Sequence, residues 1–111
     1  MNFPDDEVQE LVRLYPGIRR GVEAGVTYFL IPDLALPAGR SPETTDALFC
    51  PSERDGYHSR LFLATTVTGG RSTNWNGNVR VFERNWFAVS WRIRLGLRLA
   101  QMVRAHLDAF R

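Results

Sequence analysis

The sequence contains no lysine: all 14 residues counted as Lys or Arg are arginine. A GC-rich genome, in which arginine codons replace lysine codons, accounts for this most simply. A component of a lysine-modifying pathway would also gain by offering no lysine of its own. One class of site is removed directly. Gly69-Gly70-Arg71 has no strand–loop–helix context and no following lysine, so it is not a phosphate-binding loop. Cysteine is limited to Cys50, which excludes an internal disulfide. Histidine is limited to His58 and His106. With one cysteine and scattered acids these give no zinc-ligand spacing, and neither a metal nor another cofactor is expected. No apolar run approaches the roughly 18 residues of a membrane-spanning helix. The opening Met1-Asn2-Phe3-Pro4-Asp5-Asp6-Glu7 is acidic where a secretory leader would be basic. A cytoplasmic protein without a membrane partner is therefore expected.

What is present suffices for one domain, residues 1–111, with a single core that needs no metal or disulfide. The charge is uneven. Residues 80–111 hold seven arginines and two acids, whereas the segments before them are slightly acidic. The C-terminal third is thus a basic surface suited to an acidic partner or to nucleic acid. A net charge of +2 and the lack of an aromatic-basic reader platform argue against a nucleic-acid partner.

The periodicity predicts an α+β domain. Pro4 and the acids Asp5, Asp6 and Glu7 suit the first turn of a helix. Val8, Leu11, Val12 and Tyr15 then form one apolar stripe before Pro16-Gly17 ends it. Ile18–Glu23 alternates loosely, Ala24-Gly25 turns the chain, and Val26–Ile31 reads as a central strand buried on both faces. Thr45–Cys50 and Leu61–Val67 are further strands. Asn76-Gly77 is the strongest hairpin-turn signal, with Val79 and Val81 extended beyond it. Trp86–Trp91 fits strand or buried turn equally. From Ile93 the period is helical, with Leu95, Leu99, Met102, Val103, His106 and Phe110 on one side. The expectation is an N-terminal helix, an antiparallel meander of about four strands and a C-terminal helix packed on the sheet.

The candidate chemistry is sparse. Cys50 lies between Phe49 and Pro51 at a strand end, where cysteine behaves as a small hydrophobe. A nucleophile would instead need an exposed thiolate beside a cation or helix terminus. His58, next to a polar loop carrying Ser52, Glu53 and Asp55, is a candidate proton shuttle or a solvated loop histidine. His106 falls on the apolar stripe of the last helix as a partly buried packing residue. The tract Gly69–Arg80 is different. Trp75, Asn76 and Asn78 between Arg71 and Arg80 combine the residue types that dominate interface hot spots, so the tract is a candidate partner-binding surface. The alternative is that Trp75 folds back onto the domain. Arg92, Arg94, Arg98 and Arg104 form the basic side of the predicted last helix, either solvated or docked on an acidic partner or a nucleic-acid backbone.

Several motifs together resemble a known family. Tyr15-Pro16-Gly17 ends the first helix, Leu36-Pro37-Ala38-Gly39 precedes Asp46 at a strand start, and Asp55-Gly56-Tyr57 follows. Phe82 and Trp91 match the outer positions of an aromatic string. Over nearly its whole length the chain resembles the prokaryotic ubiquitin-conjugating-enzyme-like (UBC-like) proteins encoded beside multi-ubiquitin, activating-enzyme and JAB-protease genes. The resemblance implies a UBC-like fold and a place in a bacterial ubiquitin-like conjugation pathway, of the kind used in anti-phage defence. The partners implied are a ubiquitin-like protein and its activating enzyme. Three departures matter. Trp86-Phe87-Ala88 stands where the family has Ser-Arg-His, His58 follows Tyr57 where proline is usual, and Arg80 lies about where the catalytic cysteine would fall. The implied role is therefore either that of a conjugating enzyme or that of an inactive relative serving as an interaction module. A small nucleic-acid-binding domain is the weakest reading.

Overall fold

The computed structural model describes residues 3–69 and 74–111, with Asn76 described by its backbone only. Helix α1 spans Asp5–Leu14, entered from Pro4 and carrying Asp5, Asp6 and Glu7 in its first turn. It stops where the Tyr15 N–H bonds the Leu11 carbonyl at 3.0 Å, just before Pro16. Leu11 is fully buried, and Val8 and Tyr15 pack beside it on the core.

Among the described residues the sheet is antiparallel and has six strands: β1 (Arg19–Glu23), β2 (Val26–Ala35), β3 (Thr44–Cys50), β4 (Arg60–Leu63), β5 (Trp75–Val81) and β6 (Arg84–Val89). Their spatial order is β1-β2-β3-β4-β6-β5. The expected meander of about four strands corresponds to β1–β4, and a second hairpin extends it. Its turn lies at Phe82-Glu83, not at Asn76-Gly77 where the sequence predicts one. Phe82 and Glu83 have φ of 52° and 61°, a conformation that normally selects asparagine or glycine. Tertiary contacts hold it: the Phe82 N–H donates to Glu23 Oε1 at 3.1 Å, and the Phe82 ring meets Tyr28 edge-on. Asn76-Gly77 instead sits at a register shift within β5, where Gly77 has φ 113°. A second bulge, at Pro32-Asp33, lets β2 continue to Ala35 and turns Leu34 inward. Asp46 secures it: one carboxylate oxygen accepts the Asp33 N–H at 3.0 Å, and the other meets Arg84 at 3.2 Å.

Both faces of the sheet are buried, which explains the continuous apolar runs of β3 and β4. One face presents Phe29, Ile31, Ala47, Phe49, Leu61, Leu63 and Val89 to Leu11 of α1 and to the C-terminal helix. The other presents Tyr28, Leu48, Cys50, Phe62, Trp86 and Ala88. Here the sheet curls, and the β5–β6 hairpin reaches back to β1, with Phe82 lying against Gly21. Trp86 is fully buried in this second cluster and donates its indole N–H to the Val81 carbonyl at 3.1 Å.

Helix α2 spans Leu99–Leu107 and packs on the sheet as expected, followed by a 3-10 turn at Asp108–Phe110. It begins later than the periodicity predicts. Gly96 has φ 83° and Arg98 is extended, so Leu95 is left outside the helix and 76% exposed. The start is fixed by the Arg98 N–H bonding Gln101 Oε1 at 2.9 Å and by the Leu99 N–H bonding Glu7 Oε1 of α1 at 3.0 Å. Arg98 also binds Asp6 at 2.8 Å and Glu10 at 3.2 Å, joining the helices. No described helix is long and apolar enough to cross a membrane.

Candidate functional site

Cys50 ends β3 on the curled side of the sheet and is fully buried. Its thiol donates to the Ser52 carbonyl at 3.3 Å. Burial pushes its pKa above the usual 9.0 and outweighs the opposing effects of the Ser52 bonds and the nearby Arg54 guanidinium. A nucleophilic thiol requires the reverse balance.

Around it lies a cluster that the sequence did not single out. Arg60 is only 4% exposed. It stands 3.3 Å from Asp55 Oδ2, donates to the Val89 carbonyl at 3.0 Å, and lies 4.2 Å from the Tyr57 ring centroid. Arg54 reaches the same carboxylate oxygen at 3.3 Å and donates to the Tyr28 hydroxyl at 2.8 Å. Arg92 stands over the Tyr57 ring at 4.4 Å and donates to the Gly56 carbonyl, while the Tyr57 hydroxyl bonds Ser90 at 2.7 Å. Arg54 and Arg60 share the Asp55 carboxylate and the Phe62 ring, and Arg60 and Arg92 share the Tyr57 ring. The cluster clamps the loop before β4 onto the segment after β6.

Histidine chemistry is divided between two places. His58 is half-buried, with Nε2 3.3 Å from the Arg94 carbonyl. Among the described residues no contact joins it to Cys50. His106 lies on α2, 2% exposed, with Nε2 2.9 Å from Ser59 Oγ. Ser59 looks like a nucleophile beside a base, but it is 1% exposed and its hydroxyl donates to the Cys50 carbonyl at 2.9 Å. With that proton engaged, His106 must donate to Ser59. The pair therefore ties α2 to the sheet.

Of the partner-binding candidates, Trp75, Asn78 and Arg80 lie on β5. Trp75 lies in β5, half-buried, with its ring stacked on Phe110 at 6.0 Å between centroids. This is the folded-back alternative. Asn78 and Arg80 are exposed on β5, with Arg80 donating to Asn85 at 3.2 Å. Arg71 and the side chain of Asn76 lie outside the described residues. Strand β5 is an edge of the sheet, pairing with β6 alone among the described strands. The four tail arginines also part company. Arg92 and Arg98 are engaged as above, whereas Arg94 and Arg104 border a cavity of about 300 Å³. Among the described residues no group of three or more His, Cys, Asp or Glu side chains could hold a metal ion.

Comparison with family models, curated proteins and solved structures finds no match for this chain. The site rests on its own geometry. The spacing Asp55-x-Tyr57-x-x-Arg60 was visible as residues, but nothing local marks Arg60 as buried. Pairing across β4 and β6 decides that.

Proposed function

We propose that this chain is a UBC-like domain that binds a ubiquitin-like protein without forming a thioester to it, a non-catalytic member of a bacterial conjugation pathway. The motif order around Tyr15-Pro16-Gly17, Leu36-Pro37-Ala38-Gly39 and Asp55-Gly56-Tyr57 supports the family reading, as does the succession of helix, antiparallel sheet and helix. One observation carries the non-catalytic part: the sole cysteine is fully buried with its pKa raised by burial. At the position where the family's cysteine would fall, Arg80 lies exposed on edge strand β5. Asn78 and Arg80 on that strand are the exposed described residues for a partner to grip.

The test combines the chain with a ubiquitin-like protein, its activating enzyme and ATP. The expected outcome is a non-covalent complex that survives Cys50→Ser unchanged and is weakened by Arg80→Glu, with no adduct released by thiol reductant. Native Cys50 should also react with a thiol reagent far more slowly than the unfolded chain does. A reducible adduct abolished by Cys50→Ser would restore the enzyme reading, and absence of any complex would remove the pathway reading.

A further inference from the structure

The arginines of the C-terminal third are nearly all engaged. Arg80 meets Asn85, Arg84 meets Asp46, Arg92 meets the Gly56 carbonyl, Arg98 meets Asp6 and Glu10, and Arg111 meets Asp108. Arg94 and Arg104 are the two left without a side-chain hydrogen bond or ion pair among the described residues. Both line the same cavity of about 300 Å³. Arg104 is close enough to Tyr15 to oppose the rise of its pKa, but no hydrogen bond joins them.

The cavity is built from two elements held in register. Arg94 and Leu97 come from the segment between β6 and α2, and Gln101, Arg104 and Ala105 come from α2. Three bonds fix the segment. Trp91 Nε1 donates to the Ala105 carbonyl at 3.1 Å, Arg92 donates to Gly56 at 3.0 Å, and His58 Nε2 meets the Arg94 carbonyl at 3.3 Å. Gln101 Oε1 accepts the Arg98 N–H, so the amide nitrogen is the group left to donate into the cavity. Asp108 is the one acid at the rim, and Arg111 holds its carboxylate at 2.6 Å. Donors therefore exceed acceptors, and the net charge of the lining is positive. Leu97 and Ala105 supply an apolar wall.

We propose that this cavity binds a small oxyanion, a carboxylate or phosphate group, between Arg94 and Arg104 with the Gln101 amide as third donor. Guanidinium pairs suit either group because their forked N–H donors match its oxygens. The volume, at the small end for ligand sites, admits the anion and a short apolar stem against Leu97. The inference stands independently of the conjugation-pathway reading.

The experiment is an amide-resolved NMR titration of the intact chain at low salt, with inorganic phosphate and separately with acetate. Saturable shifts concentrated at residues 94–108 are expected, with a dissociation constant on the order of 1 mM for the better anion. Arg94→Gln and Arg104→Gln should each weaken it roughly tenfold, the effect of losing one charge-assisted contact, while Arg80→Gln leaves it unchanged. Saturation by phosphate alone assigns a phosphate ligand, and comparable saturation by acetate assigns a carboxylate. Both arginines are exposed, so melting temperatures should match the parent and separate lost binding from lost fold. If neither anion saturates these resonances, or Arg80→Gln weakens binding as much as Arg104→Gln, the site does not exist.

Discussion

Acidification should weaken this domain through His106 before its carboxylates protonate. Burial is the main cause that lowers the His106 pKa from 6.5 to about 3, with smaller contributions from His58 and Arg60. The folded state therefore keeps the ring neutral while the unfolded chain protonates it below pH 6.5. The stability contributed is full above 6.5 and is lost as pH falls toward 3. At pH 5, about 1.5 pH units below the unfolded value, the loss is about 2 kcal/mol at ~1.36 kcal/mol per unit. That is a sizeable share of the ~5–15 kcal/mol typical of a domain. Asp6, held below 3.8 chiefly by its bond to Arg98, loses its contribution only further down in pH, so the window from 6.5 to 5 isolates histidine. Urea unfolding of wild type and His106→Gln at pH 7.5 and pH 5 measures it. The glutamine variant keeps a donor for Ser59 but cannot protonate, so it should be less stable at pH 7.5 and lose much less on acidification. Equal pH slopes for the two proteins would refute the argument.

Two further outcomes follow from packing. Trp75→Ala should cost about 2–3 kcal/mol, because the indole covers Phe110 beside the core. An unchanged urea midpoint would mean that the ring is free for a partner. Gly21→Ala should cost about 1–3 kcal/mol by overpacking, since an added Cβ would sit 2.8 Å from the Phe82 ring tip. Restored stability in Gly21→Ala with Phe82→Leu would confirm that this contact is the cause, and a neutral Gly21→Ala would show that the β1–hairpin contact is loose.

Elements whose signals are local were legible in the sequence. The helix of α1, the unbroken run of β2 and the start of β3 each carry their own period and lie where it puts them, although Val12 of the predicted α1 stripe is exposed. The β5–β6 hairpin was not legible, because its turn residues are Phe82 and Glu83 and the Asn76-Gly77 signal lay nearby as a decoy. A phenylalanine accepts positive φ here only because Tyr28, Gly21 and Glu23 hold it, and all three are remote in sequence. Helix periodicity failed in the same way at Ile93–Leu97, where Gly96 breaks the backbone but not the spacing of apolar residues.

The candidate site was less legible than the fold, and charge pairing is the reason. Asp5, Asp6 and Glu7 read locally as favourable charges in the first turn of their own helix. In the fold the acids of α1 also complete α2, which has no acid in its own first turn. Glu7 takes the Leu99 N–H, and Asp6 and Glu10 take Arg98. The same sorting acts on the row Arg92, Arg94, Arg98 and Arg104, which looks uniform in sequence. Two of the four are consumed by Gly56 and by α1. The remaining two, Arg94 and Arg104, line the cavity. Which arginines of a basic segment are engaged is thus decided by tertiary pairing, which the sequence does not display. Cys50 and His106 follow the same logic, since burial of the thiol and of the imidazole beside Ser59 turns two reactive residue types into packing.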